Sequence, residues 1–313
     1  RSSSYSREAA LCAGICSSGA DVELIGEVPA PALAWLIKER GANGGIMITA
    51  SHVNADFNGL KLYSANGHRL RDDLEENMER LILDDPEELM PIPRREYGKI
   101  LRYENAIEDY IARLKELVFA DLSGMKIAVD CANGSTWATA KRLFTEAGAE
   151  VVFIGNTPDG TNVNRDCGST RMDSLMEVVT ANGCCCGIAF DGSGERCLAV
   201  DENGVLVDGD VMIAACAGYM KDMDKLSHNT ILVTQANNLG LLWFARSNGI
   251  GTSAAPTGER SMMRRMIECG YSLGGDPTGQ ILFPEDMPSA DGQLAGLRLL
   301  NILKKSGRTM SEM

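Results

Sequence analysis

Short apolar runs alternate with amphipathic helical runs along almost the whole chain, and this alternation restricts it to α/β architecture. Residues 22–25, 46–49, 126–129, 151–154, 187–190, 231–234 and 281–283 read as strands. Residues 8–18, 31–40, 74–83, 105–119, 137–147, 173–181, 239–247, 261–269 and 293–304 read as helices, with Pro31 in the first turn of the second. Proline-containing stretches at 84–86 and 91–93 read as loops. Breaks near Leu122-Ser123-Gly124 and near residue 221 divide the pattern into three comparable units, 1–120, 121–220 and 221–313. A chain of 313 residues exceeds what one core organises, which agrees with that division.

Composition narrows the function. The net charge of −13 argues against a nucleic-acid partner, because a phosphate backbone needs a basic surface. Any anionic ligand must be held by a local cluster of Arg, Lys and backbone N–H groups, since the global field repels it. No uninterrupted apolar run reaches membrane-spanning length, so no membrane span is expected. No charged-then-apolar leader opens the chain. It starts at Arg1, so it is expected to be a piece of a longer protein. Ten cysteines include the adjacent Cys184-Cys185-Cys186, which cannot easily surround one tetrahedral metal, and the three histidines are scattered. Reduced thiols in a cytoplasmic protein, without zinc, are the expectation.

Four loops carry chemistry. In the first, the apolar run Ile46-Met47-Ile48 stops at Thr49-Ala50-Ser51-His52, and Asn58-Gly59-Leu60-Lys61 follows. This places a serine hydroxyl beside an imidazole at the carboxyl end of a strand, where α/β folds bind ligands. In the second, Phe190-Asp191-Gly192-Ser193-Gly194-Glu195-Arg196 sets oxygen side chains at alternate positions between glycines. Such oxygens can converge on a hard cation as the loop turns, which suits Mg²⁺. A glycine-rich turn without metal is the plain alternative. The third is Gly274-Gly275-Asp276-Pro277-Thr278-Gly279-Gln280, and the fourth is Thr257-Gly258-Glu259-Arg260.

Together these loops resemble those of the α-D-phosphohexomutases, within which the chain is most similar to members that act on glucosamine phosphates. The serine loop of that family reads Thr-Ala-Ser-His-Asn-Pro, followed by Asn-Gly-Ile-Lys; here Val53 and Asn54 replace the asparagine and proline. The family's metal loop is Asp-Gly-Asp-Gly-Asp-Arg, so Asp191 and Arg196 match while Ser193 and Glu195 depart. Its sugar loop is Gly-Gly-Glu-x-Ser-Gly-His, against which Asp276 is shortened, Thr278 keeps the hydroxyl and Gln280 loses the titratable ring. Arg260 matches the arginine of its Gly-Asp-Arg. Asp130-Cys131-Ala132-Asn133-Gly134, the run Pro158 to Asn164, and Val207-Asp208-Gly209-Asp210 resemble loops of the family and serve as fold markers, with Asp130 and the asparagines expected to form turns and caps.

The resemblance implies three consecutive, similar α/β domains with mixed sheets sandwiched by helices. It places the family's opening strand before Arg1 and its fourth domain after Met313. It implies that Ser51 carries a phosphoryl group, that His52, Lys61 and Arg196 face that group, and that Mg²⁺ lies among Ser51, Asp191, Ser193 and Glu195. Arg260, Asp276, Thr278 and Gln280 would then contact a hexose or hexosamine phosphate. The implied reaction interconverts glucosamine 6-phosphate and glucosamine 1-phosphate through a bisphosphate, with glucose or mannose phosphates as the alternative substrates. A homodimer is a further expectation. Because substitutions gather on the functional loops, a catalytically inactive homologue that binds a sugar phosphate or a protein partner is the alternative from another class.

Overall fold

The computed structural model describes residues 1–84, 96–118 and 120–313. The loop residues 85–86 and 91–93, and Phe119 at the end of an expected helix, lie outside that set. The first unit runs α1 (Ser4–Ser17), β1 (Val22–Leu24), α2 (Ala30–Glu39), β2 (Gly44–Ile48), β3 (Leu60–Ser64), α3 (Asp72–Leu83), β4 (Ile100–Arg102) and α4 (Ala106–Leu117). Its strands form two separate pairs, β1 parallel to β4 and β2 antiparallel to β3. Met47 faces Lys61 across the second pair, so the strand leading to the serine loop and the strand carrying Lys61 are one hairpin.

The second unit runs β5 (Lys126–Asp130), α5 (Trp137–Glu146), β6 (Glu150–Ile154), α6 (Asp173–Asn182), β7 (Cys186–Phe190), β8 (Cys197–Asp201) and β9 (Leu206–Val207). Its five-stranded sheet has the order β6-β5-β7-β8-β9, parallel through β7 and antiparallel beyond. Every residue of β7 and β8 is buried, as continuous apolar strand runs require. Helix α6 ends at Gly183, whose φ of 59° closes the last turn. The Phe144 and Phe190 rings stack 6.3 Å apart between α5 and β7.

The third unit runs α7 (Gly209–Asp222), β10 (Thr230–Thr234), α8 (Leu239–Ser247), β11 (Gly251–Ala255), α9 (Glu259–Cys269), β12 (Gly274–Gly275), β13 (Ile281–Leu282) and α10 (Gly292–Ser306). Its mixed sheet has the order β11-β10-β12-β13. Helix α10 packs on β7 and β8 as well as on α7, so the third unit covers one face of the second sheet. Asp291 starts α10 by accepting from Leu294 N at 3.0 Å, and its other oxygen takes the Tyr110 hydroxyl at 2.8 Å.

The expected helices and strands are present, with ends shifted by a few residues. Several further elements were not expected. Helix α7 was missed because Ala214, Ala215 and Gly218 blur its apolar stripe, although Asp208 caps it through Val211 N at 3.1 Å. It runs across the boundary placed at 220. Edge strand β11, Gly-Thr-Ser-Ala-Ala, is mostly exposed and has no apolar signature. Among the described residues no helix is long and apolar enough to cross a membrane, and all ten cysteines are free of disulfides.

Candidate active site

Ser51 lies in the loop after β2. The loop is closed by Thr49 N bonding to Gly59 O at 2.9 Å. Ser51 has φ of 50°, in the left-handed region that costs a non-glycine residue about 1–2 kcal/mol. Its N–H is taken by Thr49 Oγ1 at 3.1 Å.

That backbone points the Ser51 hydroxyl into the loop after β7. Ser51 Oγ is 2.8 Å from Asp191 Oδ2, 3.0 Å from Ser193 Oγ and 3.2 Å from Glu195 Oε2. Ser193 Oγ is in turn 2.7 Å from Asp191 Oδ2 and 2.6 Å from Glu195 Oε2. Two hydroxyl protons therefore serve five close oxygen contacts, and a cation satisfies such a group better than hydrogen bonds can. Lys61 Nζ binds Glu195 Oε2 and supplies positive charge from the side of β3. Glu195 Oε1 is buried without a hydrogen-bond partner among the described residues, as is Arg196 Nε. Asp191, Ser193 and Glu195 are each buried.

Asp191 is held as a carboxylate. Burial pushes its carboxyl up, but the Arg196 N–H, the Ser193 hydroxyl, the Lys61 ammonium and the Ser51 hydroxyl outweigh that and leave it below its ordinary value. Its Oδ1 accepts from Glu195 N at 2.9 Å and Arg196 N at 3.0 Å, which wraps the loop around the carboxylate. His52 is exposed, and partial burial together with the Arg196 and Lys61 charges holds its imidazole below the ordinary value. Among the described residues no three His, Cys, Asp or Glu side chains group as a metal site. The oxygen cluster here is two carboxylates and two hydroxyls.

All three units grip the Asp191 loop. Ala30 N at the start of α2 donates to Ser193 O at 2.9 Å, Ser135 N to Gly192 O at 3.0 Å, and Gly292 N to Gly194 O at 2.9 Å. Cys197 N donates to Gly279 O at 3.0 Å, which seats the 274–280 loop beside the residue following Arg196. In that loop Asp276 is turned on itself, accepting from Thr278 N at 2.9 Å and Thr278 Oγ1 at 2.6 Å. Gln280 is half-buried, and its carbonyl takes Asp276 N at 3.1 Å. Arg260 is not drawn into the cluster. It pairs with Asp72 and with Glu75 at 2.7 Å, both on α3. Its neighbour Glu259 is the residue that feels Glu195 and Lys61; burial first, then Glu195, pushes its carboxyl up to about 7.

Two contributors were not singled out in the sequence. Arg1 donates to the carbonyls of Ser51 at 3.2 Å, Val53 at 2.8 Å, Phe57 at 3.1 Å and Asn54, bracing the serine loop. Asn164, in a run read as a fold marker, bonds the same loop. Neither position carries a local signal, because both act by reaching backbone atoms of a distant segment. Asp130 does behave as a turn residue, accepting from Ala132 N at 2.8 Å and Gly168 N at 2.6 Å.

Comparison with known proteins places this arrangement. Residues 1–88, 108–204 and 208–313 match the phosphoglucomutase/phosphomannomutase α/β/α domains I, II and III respectively. The chain is 43% identical over 307 residues to the phosphoglucosamine mutase of Clostridium novyi, covering 98% of this chain and 68% of that protein. It is 42% identical over 306 residues to the phosphoglucosamine mutase of Acetivibrio thermocellus, with the same coverage. Among solved structures, a phosphoglucomutase/phosphomannomutase family protein of Burkholderia thailandensis superposes with a TM-score of 0.83 at 24% identity, over 95% of this chain and 65% of that one. Aspergillus fumigatus N-acetylphosphoglucosamine mutase, in complex with GlcNAc-6P and magnesium, gives a TM-score of 0.67 at 17% identity, over 90% and 75%. At those identities the structures speak for the fold alone.

Proposed function

This chain is a phosphoglucosamine mutase-like member of the phosphoglucomutase/phosphomannomutase family, and from that premise we propose that Ser51 carries the phosphoryl group in an isomerisation of hexosamine phosphates. Phosphorylated Ser51 gives its phosphoryl group to the free hydroxyl of the sugar monophosphate. The P–Oγ bond breaks, a P–O bond to the sugar forms, the sugar hydroxyl proton leaves to a base, and the freed Ser51 Oγ takes up a proton. The bisphosphate turns over, and its other phosphoryl group returns to Ser51. Glucosamine 6-phosphate and glucosamine 1-phosphate thereby interconvert.

The observation that carries this reading is the placement of Ser51 Oγ within 3.2 Å of Asp191, Ser193 and Glu195 oxygens. The donor set fits a divalent cation. It is made of hard oxygens, it has too few protons for its contacts, and Glu195 Oε1 is buried without a partner among the described residues. Asp191, Ser193 and Glu195, with Ser51, would hold Mg²⁺, which when bound supplies charge neutralisation at the phosphoryl oxygens. Lys61 adds a second positive charge beside the acceptor. His52, whose imidazole is held below its ordinary value, is suited to hydrogen bonding, and Arg196 brings a guanidinium whose Nε has no partner among the described residues.

In this reading the serine, metal and sugar loops come one each from the first, second and third units. Asp276, Thr278, Gln280 and Arg260 serve the sugar phosphate; Thr278 must exchange its bond to Asp276 for one to a sugar hydroxyl, and Arg260 must leave α3. A cytoplasmic setting suits ten unpaired thiols, and a homodimer completes the reading. Intact mass after incubation with glucose 1,6-bisphosphate and Mg²⁺ tests it. A gain of one phosphoryl group, mapped to Ser51 and lost in Ser51→Ala, is expected. No gain at saturating Mg²⁺ would leave the chain as a sugar-phosphate-binding homologue.

A further inference from the structure

We propose that Asn164 is the positioning residue for Ser51, tying the backbone of the serine loop to the backbone of the loop that carries Asp191, Ser193 and Glu195. The inference rests on the acceptor role of Ser51 given above.

Asn164 sits between β6 and α6 and is 8% exposed. A side-chain amide offers two N–H donors and a carbonyl acceptor, and here both ends are engaged, the donor end across the boundary to the first unit and the acceptor end within the second. Asn164 Nδ2 donates to Ser51 O at 2.9 Å and to Val53 O at 2.8 Å, while Asn164 Oδ1 accepts from Gly192 N at 2.9 Å. Its own main chain is fixed to the turn after β5 through Ala132 O at 2.8 Å, and its φ of 55° lies in the left-handed region that asparagine tolerates. One side chain therefore sets the spacing between the acceptor serine and the carboxylates it faces.

The fit is tight on the other side as well. A Cβ at position 192 would lie 2.6 Å from Val163 Cγ2, 2.9 Å from Asn164 Nδ2 and 2.9 Å from Ser51 O, so only glycine lets the two loops meet at this amide. Ser51 is held at φ of 50°, and its carbonyl is gripped by Asn164 and by Arg1 from separate segments. Arg1 braces the serine loop alone; Asn164 holds both loops. Without the amide, residue 51 can relax out of the left-handed region and carry Oγ away from Asp191. A displacement on the order of 1 Å in a reacting group can cost roughly a hundredfold in rate.

The test uses two variants of the full chain. Asn164→Gly keeps a backbone at home at positive φ and deletes the amide. Asn164→Asp keeps an acceptor for Gly192 N but turns a carboxylate toward two carbonyls. Three quantities are read: the rate of mass gain on Ser51 with glucose 1,6-bisphosphate and Mg²⁺, deuterium uptake across residues 49–57 and 191–196, and the melting temperature. Both variants are expected to slow phosphorylation roughly tenfold to a hundredfold and to speed exchange across 49–57. Exchange across 191–196 should rise in Asn164→Gly and stay protected in Asn164→Asp. Wild-type phosphorylation rates, or unchanged exchange across 49–57, overturn the proposal, as does a rate loss that merely tracks a lowered melting temperature. If the unmodified chain takes up no phosphoryl group, the acceptor reading of Ser51 fails, and the exchange measurement still decides whether Asn164 is the tether.

Discussion

Lys61 Nζ rests on the same Glu195 oxygen that lies 3.2 Å from the Ser51 hydroxyl and 2.6 Å from Ser193 Oγ. The ammonium thus occupies one side of a carboxylate that is also a proposed cation ligand. The charge of Glu195, fully buried, is balanced by a lysine on one side and met by the Ser51 and Ser193 hydroxyls on the other.

A first prediction follows from that shared oxygen. Lys61→Met leaves Glu195 buried without its cation. Breaking a buried ion pair costs on the order of 3–5 kcal/mol, and less is expected here because the Lys61 side chain is 16% exposed. A divalent cation bound by Asp191, Ser193 and Glu195 should take over part of the lost role. The melting temperature of the variant should therefore fall in chelator and recover disproportionately in millimolar Mg²⁺ or Mn²⁺. An equal gap between wild type and variant with and without metal would rule out a cation site at Glu195.

Ser193 offers a second test. Its hydroxyl lies between Asp191 and Glu195 at 2.7 and 2.6 Å and adds no charge. Ser193→Asp places a third carboxylate in the same space. Without metal, repulsion should lower the melting temperature. With metal, the added charge should tighten Mg²⁺ binding measured by calorimetry. Binding that stays the same or weakens would count against the assigned donor set.

A third prediction concerns pH. Burial pushes the Asp291 carboxyl from its ordinary 3.8 up to about 6. A carboxyl with a raised folded value keeps its proton in the native state while the unfolded chain has already lost it. The native state then binds more protons, so stability falls as pH rises through the window between those two values. The full cost, present above pH 6, is about 3 kcal/mol at most. Asp291→Asn keeps an acceptor for Leu294 N and does not titrate. The stability difference between variant and wild type should grow in the variant's favour from about pH 4 to about pH 6 and then level off. A difference that is flat across this range would show that Asp291 does not titrate as described.

The parts of the site that were legible in the sequence are those whose residues share a loop. Asp191, Ser193 and Glu195 converge because one glycine-spaced turn brings them together, and Ser51 ends a recognisable strand. What was not legible depends on contacts between units. Lys61 and Glu195 meet only when the β2–β3 hairpin docks on the second sheet, and the pairing of Arg260 with α3 depends on how the first and third units close. The role of Asn164 is to reach backbone carbonyls, which no side-chain pattern announces. In the fold, α7 escaped because small residues remove the contrast that a helical period needs, and β11 because an exposed edge strand has no apolar face to show.

Gln280 supports the last prediction. It stands in the loop whose Gly279 carbonyl takes Cys197 N, the residue after Arg196, and in the proposed reading this loop faces the sugar phosphate. Glutamine neither gains nor loses a proton near neutral pH. Proton transfer to and from the sugar hydroxyl must then rely on a less well matched group, and a positioned acid or base typically contributes about 10²–10⁴-fold. Conversion of glucosamine 6-phosphate by the 313-residue chain should accordingly be slow even where Ser51 accepts a phosphoryl group. Gln280→His should raise kcat about tenfold or more with little change in KM. It should also introduce a limb in the pH–rate profile near the ordinary histidine value of about 6.5. A coupled assay with glucosamine 6-phosphate, a bisphosphate primer and Mg²⁺ measures all three quantities. Wild-type turnover already in the usual enzyme range of roughly 1–10³ per second, or a Gln280→His variant with unchanged kcat and pH profile, would show that position 280 has no part in proton transfer.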